Sequence, residues 1–222
     1  MRVLLSIILY LTCHNNCLAQ RYLEITDSDS IETNEERIDF IIDFISTIQF
    51  DTCVDIGSGN LELILKIANT FNEKTFVFED IDSSLCNKTN MLLKIENNNL
   101  NKIDTSKVSI HIGNTTSTLL PDNKFDLVVI NGLIHNIIQL DDFFTDTKRI
   151  LKPDGTIIIS DAFYKTPPKP HDGCDNRFLT INEFEQIMTE QNLHLLKDWR
   201  RTGIKTNSNG PYISRIVQCS FD

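Results

Sequence analysis

From residue 50 onward the chain alternates short apolar runs with stretches whose apolar positions recur at helical spacing. The runs at 51–56, "TFVFED" at 75–80, "KVSIHI" at 107–112, "FDLVVIN" at 125–131 and "TIIISD" at 156–161 predict strands. Helices are predicted between them over about 61–70, from Ser83 to about Asn98 and from Leu140 to about Leu151, and Pro153-Asp154-Gly155 predicts a turn. Nearly continuous apolar strands separated by helices are the pattern of a parallel sheet buried on both faces. Upstream, Thr33-Asn34-Glu35-Glu36 is a capping-box start, and Ile38, Ile41, Ile42, Ile45 and Ile48 follow at helical spacing over about 34–48. Downstream, Thr180 to Glu183 opens another capped helix carrying Phe184, Ile187 and Met188. "LHLLKDW" and "YISRIVQCS" then read as a pair of strands that can form an antiparallel edge. The expectation is a single doubly wound, Rossmann-like α/β domain with a seven-stranded, mostly parallel sheet and an antiparallel edge strand.

The length of 222 residues suits one such domain better than two. The formal net charge of −10 argues against a nucleic-acid backbone or an anionic membrane surface as the main partner. The first residues change the picture more. Arg2, the apolar run Val3 to Leu11 and a polar stretch ending Leu18-Ala19-Gln20 have the layout of a cleavable secretory signal. The run is too short to span a bilayer. Residues 1–20 are therefore expected to be a signal peptide cut after Ala19 or Gln20, making the protein exported, periplasmic or secreted, with no membrane span in the mature chain. Residues 21–49 form an N-terminal segment and helix, and 50–222 the domain. Beyond the signal, Cys53, Cys86, Cys174 and Cys219 allow three pairings, with Cys53 reading as a buried free thiol inside a strand. N-x-S/T sequons occur at Asn87 and Asn114.

The candidate chemistry lies at "CVDIGSGNLE", residues 53–62, where ligands of doubly wound sheets bind beyond the first strand. Gly57 and Gly59 permit a sharp turn and close backbone approach, and the helix start is expected to offer free N–H groups. Asp80 ends the second strand, 21 residues after Gly59, where a carboxylate can take both ribose hydroxyls. Asp55, two residues before Gly57, suits a cationic or amino-bearing ligand and would repel a pyrophosphate. A dinucleotide loop would need glycine at position 62, where Glu62 stands, which disfavours a nicotinamide dehydrogenase.

Over about residues 50–220 the chain resembles the class I S-adenosylmethionine-dependent methyltransferases of small-molecule type. Their first motif appears as Val54-Asp55-Ile56-Gly57-Ser58-Gly59-Asn60-Leu61, with Leu61 in place of the third glycine. The resemblance implies S-adenosyl-L-methionine as cofactor. It implies that Asp55, Gly57, Ser58 and Gly59 hold its methionine part, Asp80 its ribose, and Ile81 one face of its adenine. Asn114, where the family usually has aspartate, would meet the adenine amino group, with the Thr115 N–H beside it. Asn131 would line the seam between cofactor and acceptor.

Methyl transfer is an in-line displacement, and a general base is needed only where the acceptor loses a proton. His135 matches a position where many small-molecule methyltransferases of this family carry histidine, and Asp161 closes the fifth strand within reach of an acceptor. The segment 161–178, with Pro167, Pro168, Pro170, Tyr164, His171, Cys174 and Arg177, reads as a lid or a crossover, and no metal site is expected. Arg200, Arg201 and Lys205 are candidate contacts for an acidic acceptor. The reading is methyl transfer to a small-molecule acceptor that the sequence does not name. The alternative is an exported binding protein that keeps the fold without the chemistry. The oligomeric state is not legible.

Overall fold

The structure, a computed structural model, describes residues 22–25, 34–164, 178–203 and 212–221. Its elements are β1 (Tyr22–Ile25), α1 (Asn34–Ser46), β2 (Thr52–Ile56), α2 (Glu62–Thr70), β3 (Thr75–Asp80), α3 (Lys88–Asn97), β4 (Val108–Ile112), β5 (Phe125–Asn131), α4 (Leu140–Ile150), β6 (Leu151–Tyr164), α5 (Ile181–Glu190), β7 (Leu193–Gly203) and β8 (Tyr212–Phe221). The seven expected strands form one sheet, joined by β1, in the order β1-β7-β8-β6-β5-β2-β3-β4. β8 is antiparallel to both β6 and β7, and the remaining pairings are parallel. The antiparallel strand thus sits inside the sheet, between β6 and β7. β2 lies between β5 and β3, so the chain reverses its direction of strand addition beside β2. That reversal opens a crevice at the carboxyl ends of β2 and β5.

Alternation along the strands sends side chains to two cores. On one face Cys53, Phe76, Phe78, Leu127, Val129, Ile158 and Ile216 pack under α1, α2 and α3. On the other, Val54, Ile56, Val128, Ile130, Ile157, Ile159 and Val217 pack under α4 and α5. Ile38, Ile41 and Ile45 are the buried stripe of α1, and Phe40 packs on Trp199 with ring centroids 4.5 Å apart and the rings tilted by 31°. Each such isoleucine contributes about 1.5–3 kcal/mol by burial, so Ile41→Asp would detach the helix. α4 has Asp141 and Asp142 in its first turn and Lys148 and Arg149 in its last, matching the helix dipole.

Three local features differ from the sequence pattern. α3 starts at Lys88 rather than Ser83. Asp82 Oδ1 accepts the Ser84 N–H, and the Asn87 side chain caps the Asn90 N–H at 2.9 Å, holding 82–87 as a separate turn. Pro153-Asp154-Gly155 does not interrupt the strand: pairing steps from Phe125↔Leu151 to Leu127↔Thr156, so it is absorbed as a bulge within β6. Cys53, Cys86 and Cys219 are all buried free thiols, and each of the three pairings would need two of them bonded together. None of the three pairings that the cysteine count allows therefore occurs, and Cys53 is the buried free thiol expected. The Thr180–Glu183 capping box forms as expected. Residues 1–20, Thr33, Cys174 and most of the 161–178 segment lie outside the described residues.

Arg200 is not poised for an acceptor. Its guanidinium bonds Asp198 (2.8 Å) and Glu185 (3.1 Å), beside the buried Arg215, which grips the same Asp198 through Nε (3.0 Å) and Nη2 (2.9 Å). The side chains of Arg201 and Lys205 lie outside the described residues.

Candidate active site

β2 ends in the glycine turn, and backbone geometry explains its composition. Gly57 (φ +74°) and Gly59 (φ +49°) both occupy the left-handed region, where L side chains are strained. A Cβ on Gly57 would also lie 2.8 Å from Leu133 Cδ1, so the side chain following β5 packs directly on this backbone. Leu61, which replaces the third glycine, is left-handed too (φ +65°) and 0% exposed. Its side chain is core, and burial holds it in a conformation that costs a leucine about 1–2 kcal/mol.

Within the turn itself most N–H groups are committed. Gly57 and Ser58 both donate to the Glu79 carbonyl at 2.9 Å, Leu61 donates to the Ser58 carbonyl, and Glu62 donates to Asn60 Oδ1. Gly59 donates to Asp80 Oδ2 at 2.6 Å. A loop with these donors committed internally is a poor cradle for phosphate. What it presents instead is acidic. Asp55 is nearly fully buried, and burial pushes its carboxyl up to about 7, the Ser58 hydroxyl opposing and the Asp80 charge adding to the rise.

Asp55, Gly57, Ser58, Gly59 and Asn131 line one cavity of about 270 Å³, closed by Arg37 and Ile38 of α1 and by Glu62 and Leu63 of α2. Asn131 Oδ1 is buried with no hydrogen-bond partner among the described residues. A carboxyl, an amide oxygen and a guanidinium around one small cavity form the donor set for an amino-acid zwitterion, so these residues fit the methionine part of S-adenosylmethionine. Arg37 was missed in the sequence. Nothing in its local pattern marks it, because only the packing of α1 over β2 brings it there.

Farther along the sheet edge, Asp80 accepts from Gly59 and from the Asp82 N–H (2.8 Å), with lone pairs remaining for other donors. Ile81 is 68% exposed. Asn114 is exposed, and its Oδ1 takes the Thr116 N–H (3.1 Å) and hydroxyl (3.0 Å), folding it back on its own turn with half-buried Thr115 inside that turn.

Past β5, Gly132 continues the cavity wall and a short 3₁₀ turn presents His135. Its Nδ1 lies 3.0 Å from Asp161 Oδ1 and 3.1 Å from Oδ2, while Phe178 stacks on the ring at 4.3 Å. Asp161, buried in β6, also accepts the Ala162 N–H at 2.7 Å. His135 and Asp161, 26 residues apart in sequence, thus form one oriented pair. No group of three or more His, Cys, Asp or Glu able to hold a metal occurs among the described residues.

Residues 54–159 match the family model of the methyltransferase domain. No match was found among curated proteins. Among solved structures, the chain is similar to the geranyl diphosphate C-methyltransferase of Streptomyces coelicolor, crystallised with Mg²⁺, geranyl diphosphate and S-adenosyl-L-homocysteine. The TM-score is 0.66 at 13% identity, covering 85% of this chain and 80% of that one. It is similar also to the O-methyltransferase of a trans-AT polyketide synthase of Brevibacillus brevis in complex with S-adenosyl-L-homocysteine. Here the TM-score is 0.60 at 16% identity, over 75% of this chain and 55% of that one. The cyclase SpnF matches with a TM-score of 0.64 at 12% identity, over 82% of each chain to within a point. The chain therefore has the Rossmann-like fold of the S-adenosylmethionine-dependent methyltransferases, and its residues 54–159 match the methyltransferase-domain model.

Proposed function

We propose that the protein transfers a methyl group from S-adenosyl-L-methionine to a small-molecule acceptor that gives up a proton as it is methylated, such as a hydroxyl. The observation that carries this reading is the His135–Asp161 pair, whose histidine stands three residues past Gly132 in the wall of the Asp55–Asn131 cavity. S-adenosylmethionine supplies an electrophilic methyl on a sulfonium. Around it, Asp55 and the Gly57–Gly59 main chain would hold the amino end, Arg37 the carboxylate, Asp80 the ribose hydroxyls and Ile81 one adenine face. Thr115 and Asn114 would stand at the far end of the base.

Asp161 takes the Nδ1–H of His135 and so fixes the tautomer in which Nε2 is the basic atom. Phe178 restrains the ring plane. His135 then removes the acceptor's proton while the surrounding core excludes water, a role worth about 10²–10⁴ in rate. The relatives named above support the cofactor: two are crystallised with S-adenosyl-L-homocysteine.

Incubating the protein with S-adenosylmethionine and a panel of small phenols, enols and alcohols tests this, read as S-adenosylhomocysteine formed. Turnover that requires His135 supports it. Cofactor binding without turnover of any class would favour the alternative, a binding protein that keeps the fold. The fold alone does not decide, since SpnF shares it and is a cyclase. We propose further that residues 1–20 direct export and are removed. N-terminal sequencing of the protein recovered outside the cytoplasm checks this, and a retained Met1 would contradict it.

A further inference from the structure

Glu79 and His111 face each other across a space kept open by a glycine. Glu79, on β3, is 0% exposed, and neither carboxyl oxygen has a hydrogen-bond partner among the described residues. A buried carboxyl in that state is costly, so the groups around it decide what answers it. His111 is its register partner on β4, and the two side chains leave the sheet on the same face. They converge on Gly113: a Cβ built there would lie 3.0 Å from Glu79 Oε1 and 3.0 Å from His111 Nε2. Gly113 does not have a positive φ, so glycine serves here for room rather than for backbone conformation.

His111 is fastened to the loop that follows β4. Its Nε2 meets the Thr118 carbonyl, and a carbonyl can only accept, so Nε2 carries the proton. Thr118 is 0% exposed and is pinned from α4, its N–H and hydroxyl donating to Asp146 Oδ2 at 3.1 and 2.7 Å. Next to it Leu119 is exposed with a φ of +58°, a left-handed backbone that strains a leucine. The loop therefore keeps its shape through its anchors, and the His111 contact is one of them.

The other charged and titratable groups around Glu79 do not answer it. Asp55 on β2, Asp80 on β3 and Asp146 on α4 are acids. The Cys86 thiol before α3 is pushed up to about 12, chiefly by burial. Arg149 on α4 is held by Asp122 and Asp146. The Nε2–H of His111 thus stands between two acceptors, a neutral carbonyl and a carboxyl whose pull depends on its own proton.

We propose that Glu79 and the Thr118 carbonyl compete for the one Nε2–H of His111, so that ionisation of Glu79 unfastens the loop between β4 and β5. While Glu79 keeps its proton, the carbonyl keeps the N–H. When Glu79 releases that proton to solvent, the carboxylate accepts about twice as strongly as a neutral group, and the imidazole N–H turns to it across Gly113. No other covalent bond is made or broken. Burial pushes the Glu79 carboxyl up to about 8, the Gly57 N–H opposing and the charges of Asp80, Asp55 and Asp146 adding to the rise, which sets the change in mildly alkaline solution. The clasp belongs to the ligand-free chain and stands or falls independently of the cofactor proposed above.

NMR of the ligand-free protein from about pH 6 to about pH 10 tests this. The Glu79 carboxyl carbon, the His111 Nε2 and the Thr118 carbonyl carbon should shift with one common midpoint. Through it, protection of the Ser117 amide, which donates to the Asn114 carbonyl, should fall about three- to tenfold once corrected for intrinsic exchange. Glu79→Gln keeps the shape and cannot ionise, so the changes at Thr118 and Ser117 should vanish in it. A Thr118 carbonyl that stays put while Glu79 titrates, or that shifts equally in Glu79→Gln, overturns the proposal, as does a Glu79 that never titrates. Should Glu79→Gln not fold, the wild type decides alone: a shared midpoint at Glu79, His111 and Thr118 supports the clasp, and separate midpoints overturn it.

Discussion

His135 Nδ1 and Asp161 Oδ1 are 3.0 Å apart, and the carboxylate that orients the imidazole is itself held by the Ala162 N–H. In the proposed reaction the pair divides into a group that would face the acceptor and a group that positions it. His135→Ala should lower kcat by about 10²–10⁴ with KM for cofactor unchanged, and should remove the acid limb of the pH–rate profile. Asp161→Asn should lower kcat by a smaller factor by favouring the wrong tautomer. Steady-state kinetics across pH, with the acceptor found in the screen, checks both. Equal kcat in His135→Ala would leave the ring a packing residue against Phe178.

Asp80 links two functions through one carboxylate. It holds the Gly59 N–H at 2.6 Å and is the proposed ribose ligand. Asp80→Ala should weaken S-adenosylhomocysteine binding by more than tenfold and lower stability by about 1–3 kcal/mol, because a charge-assisted bond to the glycine turn is lost. Calorimetry and thermal melts measure the two separately. Unchanged affinity would refute the ribose assignment whatever happens to stability.

Leu61 makes an unusual prediction about rank order. Leu61→Ala removes a buried side chain, at about 2–5 kcal/mol, and keeps the left-handed strain. Leu61→Gly loses the same contacts but relieves the backbone, so it should be the more stable of the two by about 1 kcal/mol. Denaturant unfolding of the two variants decides. Leu61→Ala being the more stable would mean the φ of +65° carries no strain.

The buried acids set the pH dependence of stability. Asp55 and Glu79 are raised to about 7 and about 8, chiefly by burial, so the folded chain holds protons that the unfolded chain releases above about pH 4. Their contribution is complete below that value and is lost as pH rises through 7 and 8, by up to about 1.4 kcal/mol per pH unit for each group. Asp126 acts oppositely. Burial pushes it up, but hydrogen bonds from Lys152, Thr52 and the Asp51 main chain outweigh this and hold it at about 2, so its contribution fades only in strong acid. The ligand-free protein should therefore melt at a lower temperature at pH 8.5 than at pH 5.5, with the slope shallower in Glu79→Gln. A flat or rising Tm over that interval would contradict the burial of these acids.

Asp198 is shared by Arg200 and Arg215, and Arg215 is almost wholly buried. Asp198→Ala should cost about 3–5 kcal/mol by stranding that charge, while replacing both partners, Asp198→Leu with Arg215→Met, should recover much of the loss. Chemical denaturation of the single and double variants measures the difference. No recovery in the double variant would mean that the pair is needed for packing rather than for mutual neutralisation.

The strands and the glycine turn were legible in the sequence because each depends on local pattern: apolar runs, capping boxes, and glycines where φ is positive. His135 was legible as a candidate, and its bond to Asp161 was not, because it joins a 3₁₀ turn to a strand 26 residues away. Arg37 and Glu79 went unread for the same reason. Arg37 reaches the cavity only through the docking of α1, and Glu79 looks like one more acid in "TFVFED" until β2 and β4 bury it from both sides. That the N–H groups of Gly57, Ser58 and Gly59 are committed was not legible, because the Glu79 carbonyl and Asp80 carboxylate that take them lie at the end of β3. Leu61 proved to be a core residue carrying strain, which no spacing rule expresses.

The central claim is that the Asp55–Asn131 cavity and the ends of β3 and β4 together hold an S-adenosyl cofactor. Isothermal titration of the protein with S-adenosylmethionine and S-adenosylhomocysteine tests it most directly. Saturable, one-to-one binding that Asp80→Ala weakens more than tenfold is the predicted result. Absence of binding heat at millimolar concentrations of both ligands, from protein whose thermal melt shows it folded, would contradict it.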